Sequence, residues 1–221
     1  VSAIKERIDG NTKLLFICSP NNPTGNSFST RSIENLLKSF TGLVVIDEAY
    51  IDFSLEESWT SKLAKYPNLI ITQTLSKAYG MAGIRLGICL ASAEIIAVIN
   101  KIKPPYNVNQ LTQERAIQRV SDEKSVQAEV ATILEERAKL INTLETVSFV
   151  SKIYPTDANF ILAKVDNATL RYNQLLKKGI VVRNRTTQPL CENTLRFTVG
   201  TSKENNIVIT ALKALSKEYG K

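Results

Sequence analysis

The sequence predicts an α/β chain in which a mostly parallel sheet occupies the first half and a smaller α+β region follows. Three observations carry this expectation. The apolar runs at 14–18, 43–46 and 69–71 are continuous rather than alternating, as suits strands covered on both faces. Helical spacing of apolar residues separates the first two runs. After Pro104-Pro105 the order changes to one long amphipathic stretch followed by short apolar runs and helical patterns.

The elements follow in order. Strand 14–18 closes on Ser19-Pro20-Asn21-Asn22-Pro23-Thr24-Gly25, a cluster of turn formers that reads as a loop. Ile33, Leu36, Leu37 and Phe40 then recur at helical spacing behind the capping candidates Ser29 and Thr30, and strand 43–46 completes a βαβ unit. A helix at 59–66 leads through Pro67 to strand 69–71, and 84–90 is a fourth apolar segment. Pro104-Pro105 and the polar stretch 107–112 read as a hinge, giving a first domain at 1–103, a hinge at 104–113 and a second domain at 114–221. Val126, Val130, Ile133, Leu134, Leu140, Ile141 and Leu144 mark a long helix. Strands are expected at 149–154, 159–165, 180–183 and 195–199, with a helix near 170–178. Thr201 and Glu204 form a capping box for a last helix carrying Ile207, Val208, Ala211, Leu212 and Leu215.

Composition narrows the chemistry. At 43% hydrophobic and 22% charged, with 9 Gly and 7 Pro in 221 residues, the chain is neither disordered nor collagen-like. It contains no histidine, which excludes a Ser-His-Asp triad, a Cys-His pair and a His-ligated zinc from this chain. Acid–base chemistry therefore falls to a lysine, a carboxylate or a tyrosine, or to a cofactor. Cys18, Cys89 and Cys191 are odd in number and lack metal-ligand spacing, so no metal is expected and free thiols in a reducing compartment are. Lys+Arg 28 against Asp+Glu 21 gives +7, scattered rather than clustered, which favours small anionic ligands over nucleic acid. No apolar run approaches about 18 residues and no leader pattern is present, so the expectation is a cytoplasmic chain without a membrane partner. The opening Val1-Ser2-Ala3, without an initiator Met, suggests the later portion of a longer protein.

In an open parallel sheet, ligands bind outside the carboxyl ends of the strands. Here those ends carry Asn21 and Asn22, then Asp47, Glu48 and Tyr50, then Thr74, Ser76 and Lys77. If the strands are neighbours, an amide, a carboxylate, a phenol and an amine converge. Asp47, at the mouth of a buried strand, needs a cationic partner, or else caps the next helix. Glu48 should point to the opposite face, against joint chelation of a metal. Lys77 lies between a buried strand and a glycine-punctuated loop, where partial desolvation would suit a nucleophilic amine; a solvated lysine at a helix start is the plain alternative. The nearby hydroxyls and Arg85 are donors suited to an oxyanion.

The segments Ser19-Pro20-Asn21-Asn22-Pro23-Thr24-Gly25, Asp47-Glu48-Ala49-Tyr50-Ile51-Asp52-Phe53, Thr74-Leu75-Ser76-Lys77-Ala78-Tyr79-Gly80 with Gly83-Ile84-Arg85, and Arg196-Phe197-Thr198-Val199-Gly200-Thr201 together resemble the fold-type I, pyridoxal-phosphate-dependent aminotransferases. Within them the histidinol-phosphate branch is the nearest in wording. The resemblance implies a PLP-transferase-like fold: the later part of the large cofactor-binding domain, with its sheet incomplete, plus a small C-terminal domain, in a cytoplasmic homodimer. It implies that Lys77 holds pyridoxal 5'-phosphate and moves the proton, and that Asp47 partners the pyridinium nitrogen. Asn22 and Tyr50 would bond the ring hydroxyl, while Thr74, Ser76 and Arg85 would cradle the phosphate. Arg196, with Arg183 as a second contact and Asn22 beside it, would receive the substrate's anionic end. The implied reaction is transamination between glutamate or 2-oxoglutarate and histidinol phosphate or imidazole-acetol phosphate, in histidine biosynthesis. The alternatives are a threonine-phosphate decarboxylase, an aromatic aminotransferase, or a regulator domain that senses the cofactor without turnover. The family's N-terminal part has no counterpart in these residues, so the 221 residues alone are expected to be weakly active or inactive.

Overall fold

The computed structural model describes residues 2–219. They divide into two compact units, one formed by Val1–Pro20 and Ser27–Val126, the other by Asn21–Asn26 and Gln127–Lys221.

The first unit runs α1 (Ser2–Lys5), β1 (Leu14–Cys18), α2 (Thr30–Ser39), β2 (Leu43–Asp47), a 3-10 helix at Trp59–Lys65, β3 (Leu69–Thr74), β4 (Gly87–Ala91), α3 (Ala93–Ile102) and α4 (Gln110–Val120). Its sheet has the order β1-β2-β3-β4, with β1, β2 and β3 parallel and β4 antiparallel at the edge. Ser29 caps α2 as expected, its hydroxyl accepting from Ser32 N. The helix then lays Ile33, Leu36 and Leu37 against Ile17, Val44, Ile46, Leu69 and Ile71, with Trp59 closing the cluster. Each such side chain, fully buried, contributes about 1.5–3 kcal/mol. Asn68 secures the entry to β3 by donating its amide to the carbonyls of Leu37, Phe40 and Gly42 at 3.1, 3.1 and 3.3 Å.

Two expectations need correction in this unit. The helix at 59–66 is a 3-10 helix, capped by Ser58 whose hydroxyl accepts from Thr60 N. Segment 84–90 is not one strand: a 3-10 turn at Ala82–Ile84 ends in left-handed Arg85 (φ 55°), and this reversal makes β4 run antiparallel. The boundary between the two compact units lies at Val126–Gln127. The reason is α4, which packs Ala116 against Leu75 and Met81 and donates from Arg119 Nε to the Tyr79 carbonyl at 3.0 Å. The division therefore falls inside α5 (Glu123–Glu145).

The second unit contains the rest of α5, β5 (Val150–Ile153), β6 (Phe160–Val165), α6 (Ala168–Lys177), β7 (Arg183–Asn184), β8 (Thr194–Thr198) and α7 (Ser202–Tyr219). Its sheet is antiparallel throughout, in the order β5-β6-β8-β7. Leu140 and Leu144 of α5 and Leu212 and Leu215 of α7 pack on Ile161, Ala163, Leu195 and Phe197. The capping box forms: Thr201 N donates to Glu204 Oε2 at 2.8 Å, and Glu204 N to Thr201 Oγ1 at 3.3 Å.

The strand expected at 180–183 shrinks to Arg183–Asn184 because the end of α6 claims the preceding residues. Gly179 adopts φ 75°, its N–H donates to Leu176 O, and Ile180 N donates to Leu175 O. This reciprocal closure satisfies the last helical carbonyls and brings Ile180 onto Leu175 within the core.

Candidate active site

In the first unit the candidate residues hang from the carboxyl ends of two adjacent parallel strands. Asp47 ends β2, paired across the sheet with Cys18 on β1 and Thr72 on β3. Its Oδ1 accepts from Ala49 N at 3.0 Å, which turns the chain and delivers Tyr50. Tyr50 is buried, and Lys77 Nζ stands 5.4 Å from its ring centroid, within cation–π reach. Lys77 itself is exposed, so the desolvation expected from its sequence position is not found. Thr74 and Ser76 face each other: Thr74 Oγ1 lies 2.9 Å from Ser76 Oγ and accepts from Ser76 N at 3.1 Å. Arg85 is exposed, with Nη1 donating to Ala82 O at 2.9 Å. Cys18 adds a thiol whose pKa is pushed up by burial and then by the negative charge of Asp47.

In the second unit the anion-binding candidates gather on one face of the sheet. Arg183 and Arg196 are direct cross-strand partners on β7 and β8, so both guanidinium groups emerge on the same side. Arg196 stacks 4.9 Å over the ring of Phe160, and its Nη1 donates to Asn22 Oδ1 at 2.7 Å. Asn22 arrives there although it follows β1 in sequence. Its loop is fastened to the second unit by Asp157 N, which donates to Gly25 O at 2.7 Å. Gly25 sits at φ +83° with Thr156 so close that a Cβ would lie 2.5 Å from Thr156 Oγ1, which leaves room for glycine only.

Sequence reasoning singles out Asp47, Tyr50, Thr74, Ser76, Lys77 and Arg85, which lie in the first unit, and Asn22, Arg183 and Arg196, which lie in the second. It misses the partners of two buried carboxylates. Glu48, expected only to point away from Asp47, is 1% exposed and accepts from three neutral donors. Glu136, 3% exposed on α5, accepts from Lys139 Nζ, Ser202 Oγ and Asn205 Nδ2, and these bonds pull its pKa down to about 2. A glutamate within an apolar helical stripe was the available signal for Glu136. Among the described residues, no group of three His, Cys, Asp or Glu side chains is placed to hold a metal ion, and no helix is long and apolar enough to cross a membrane.

The pattern that defines aminotransferase class I and II matches residues 1–212. A histidinol-phosphate aminotransferase of Flavobacterium johnsoniae is 65% identical over 216 residues, covering 98% of this chain but 62% of that protein, so the chain spans less than two thirds of this relative's length. The crystal structure of the histidinol-phosphate aminotransferase from Clostridium acetobutylicum matches with a TM-score of 0.91 at 28% identity, over 98% of this chain and 67% of that one. The Sinorhizobium meliloti histidinol-phosphate aminotransferase, solved in complex with pyridoxal-5'-phosphate, shares the fold with a TM-score of 0.84 at 22% identity, over 98% of this chain and 60% of that one. With its parallel sheet, its strand-end acid, phenol and amine, and a match along nearly its whole length, the chain belongs to the aminotransferase class I and II family.

Proposed function

We propose that the protein serves in transamination between glutamate or 2-oxoglutarate and histidinol phosphate or imidazole-acetol phosphate, a step of histidine biosynthesis, with pyridoxal 5'-phosphate as its cofactor. The observation that carries the reading is the placement of Asp47, Tyr50 and Lys77 at the ends of neighbouring parallel strands, with the Lys77 amine 5.4 Å from the Tyr50 ring.

The donor set fits such a group. Thr74 and Ser76 offer two hydroxyls and a backbone N–H at one place, suited to a phosphate, with Arg85 on the loop beyond. Asp47 offers a carboxylate suited to a protonated ring nitrogen, Tyr50 a phenol and Lys77 a primary amine. When bound, the cofactor supplies an aldehyde carbon and an electron-accepting ring.

In this reading Lys77 tethers the cofactor through Nζ. Once released, it takes and returns a proton at that same atom, in a chain that has no histidine to do so. Asp47 would hold positive charge on the ring nitrogen, and Tyr50 would donate to the ring hydroxyl. Arg196 grips the anionic end of the substrate. Two guanidinium groups directly opposite on neighbouring strands repel each other, and an oxyanion bound between Arg183 and Arg196 relieves that repulsion. The working assembly is taken to be a cytoplasmic homodimer; exposed Ile117 and Val120, three residues apart on α4, support a partner at that end of the helix.

The test is covalent labelling. After incubation with pyridoxal 5'-phosphate and borohydride reduction, peptide mapping should find a pyridoxyl group on Lys77 and none in Lys77→Ala. Labelling scattered over surface lysines, unaffected by that substitution, refutes the reading. For the active enzyme, 2-oxoglutarate appearing from glutamate without carbon dioxide release separates transamination from decarboxylation.

A further inference from the structure

We propose that Glu48 is a positioning residue, a buried clamp that fixes the strand end bearing Asp47 and Tyr50 against the strand end bearing Thr74 and Lys77. Its consequence for the cofactor rests on the function proposed above; the clamp itself does not.

β2 ends at Asp47 and Glu48 follows directly, so continued alternation sets the two side chains on opposite sides. Glu48 is 1% exposed, and a carboxylate so deeply placed is costly unless its oxygens are satisfied. Here they are: Oε2 accepts from Ser58 Oγ at 2.6 Å and from Gln73 Nε2 at 2.9 Å, and Oε1 accepts from Trp59 N at 2.7 Å. The backbone of Glu48 is fastened as well, its N–H donating to Thr72 O at 2.8 Å and its carbonyl accepting from Ile51 N at 3.1 Å. One residue therefore joins β2, the turn that carries Tyr50, the start of the 3-10 helix and β3.

The character of these bonds matters. All three donors, two side chains and the Trp59 backbone N–H, are neutral groups, and hydrogen bonds to a charged acceptor are the strong, short kind. An apolar side chain, like Val44 or Ile46 earlier in the strand, would bury here without the desolvation cost but would fix no direction. What the carboxylate adds is orientation. Gln73 immediately precedes Thr74 and stands four residues before Lys77, so the Glu48–Gln73 bond ties the two strand ends beyond the last backbone pair at Asp47 and Thr72.

The experiment uses the 221-residue chain with two substitutions, Glu48→Gln, which keeps the shape, and Gln73→Leu, which removes the cross-strand donor. Residue-resolved amide exchange should show Ala49, Ile51 and Trp59 exchanging about tenfold faster in Glu48→Gln, in keeping with loss of a charge-assisted bond, while the amides of α2 and of the second unit are unchanged. Gln73→Leu should reproduce the effect at Ala49 and Ile51. Labelling of Lys77 by pyridoxal 5'-phosphate should slow in both variants, and the pH midpoint of the bound cofactor's absorbance should shift. Equal acceleration throughout the first unit, or none at these amides, overturns the proposal by making Glu48 a general stabiliser or nothing. If wild-type Lys77 takes no label, the cofactor reading fails, while the exchange pattern still decides the clamp.

Discussion

Replacing Glu136 with alanine tests the packing logic of the second unit. Its carboxylate receives Ser202 Oγ at 2.9 Å and Asn205 Nδ2 at 3.0 Å, both from the first turns of α7, and Lys139 Nζ at 2.7 Å from its own helix. Asn205 is 1% exposed, and its side chain also closes on Gly200, accepting from the N–H and donating to the carbonyl, each at 3.0 Å. Truncation strands an amide hydrogen of the buried Asn205, at about 1.5–2 kcal/mol for a bond to a charged acceptor, while the hydroxyl of the exposed Ser202 turns to water at little cost. The Lys139 contact adds little, since that side chain is 61% exposed and such pairs are worth about 0–1 kcal/mol. The expected loss is about 1.5–2 kcal/mol, which at a urea dependence of about 2 kcal/mol per molar lowers the unfolding midpoint by about 0.75–1 M. Glu136→Gln, which keeps one acceptor oxygen, should fall between the two. The pH dependence supplies an independent check. Because the folded pKa is depressed to about 2, the stabilisation is complete above the ordinary glutamate range and is lost as pH falls from about 4.5 towards 2. Wild type should weaken over that window more steeply than Glu136→Gln. Parallel pH profiles, or an alanine midpoint within about 0.2 M of wild type, would refute the reasoning.

Two further outcomes follow from particular contacts. Gly25→Ala should cost about 1–2 kcal/mol or more, because it puts a side chain at φ +83° and drives a Cβ against Thr156; faster exchange of the Asp157 amide, which bonds Gly25 O, is the readout, and unchanged exchange contradicts it. Asp47→Asn should lower the pKa of the Cys18 thiol, since the Asp47 charge is one of the two causes holding it up. Alkylation of Cys18, followed by peptide mapping, should then accelerate at mildly alkaline pH, and an unchanged rate would mean that the two side chains do not interact.

The elements that sequence determined are those whose bonds close within a few residues. The Thr201–Glu204 box, the Ser29 cap and the apolar runs of β1, β2 and β3 depend on neighbours along the chain, and each could be placed before any tertiary contact was known. The motif residues were legible for a related reason: the acid, phenol and amine sit at strand ends, and the end of an apolar run is visible in one dimension.

What the tertiary structure alone decided involves partners distant in sequence. Only folding could send Asn22 across to Arg196, 174 residues away, and fasten its loop to the second unit. Only packing of Ala116 on α4 against Leu75 and Met81 could bind that helix into the first unit. The buried carboxylates are the sharpest case. Sequence hints at burial for Glu136, in its apolar stripe, but names no partner for it or for Glu48; their roles exist only because Gln73, 25 residues on from Glu48, and Asn205, 69 residues on from Glu136, are carried to them. A charge leaves water only when donors are assembled around it, and that assembly comes from the fold rather than from any local stretch of chain.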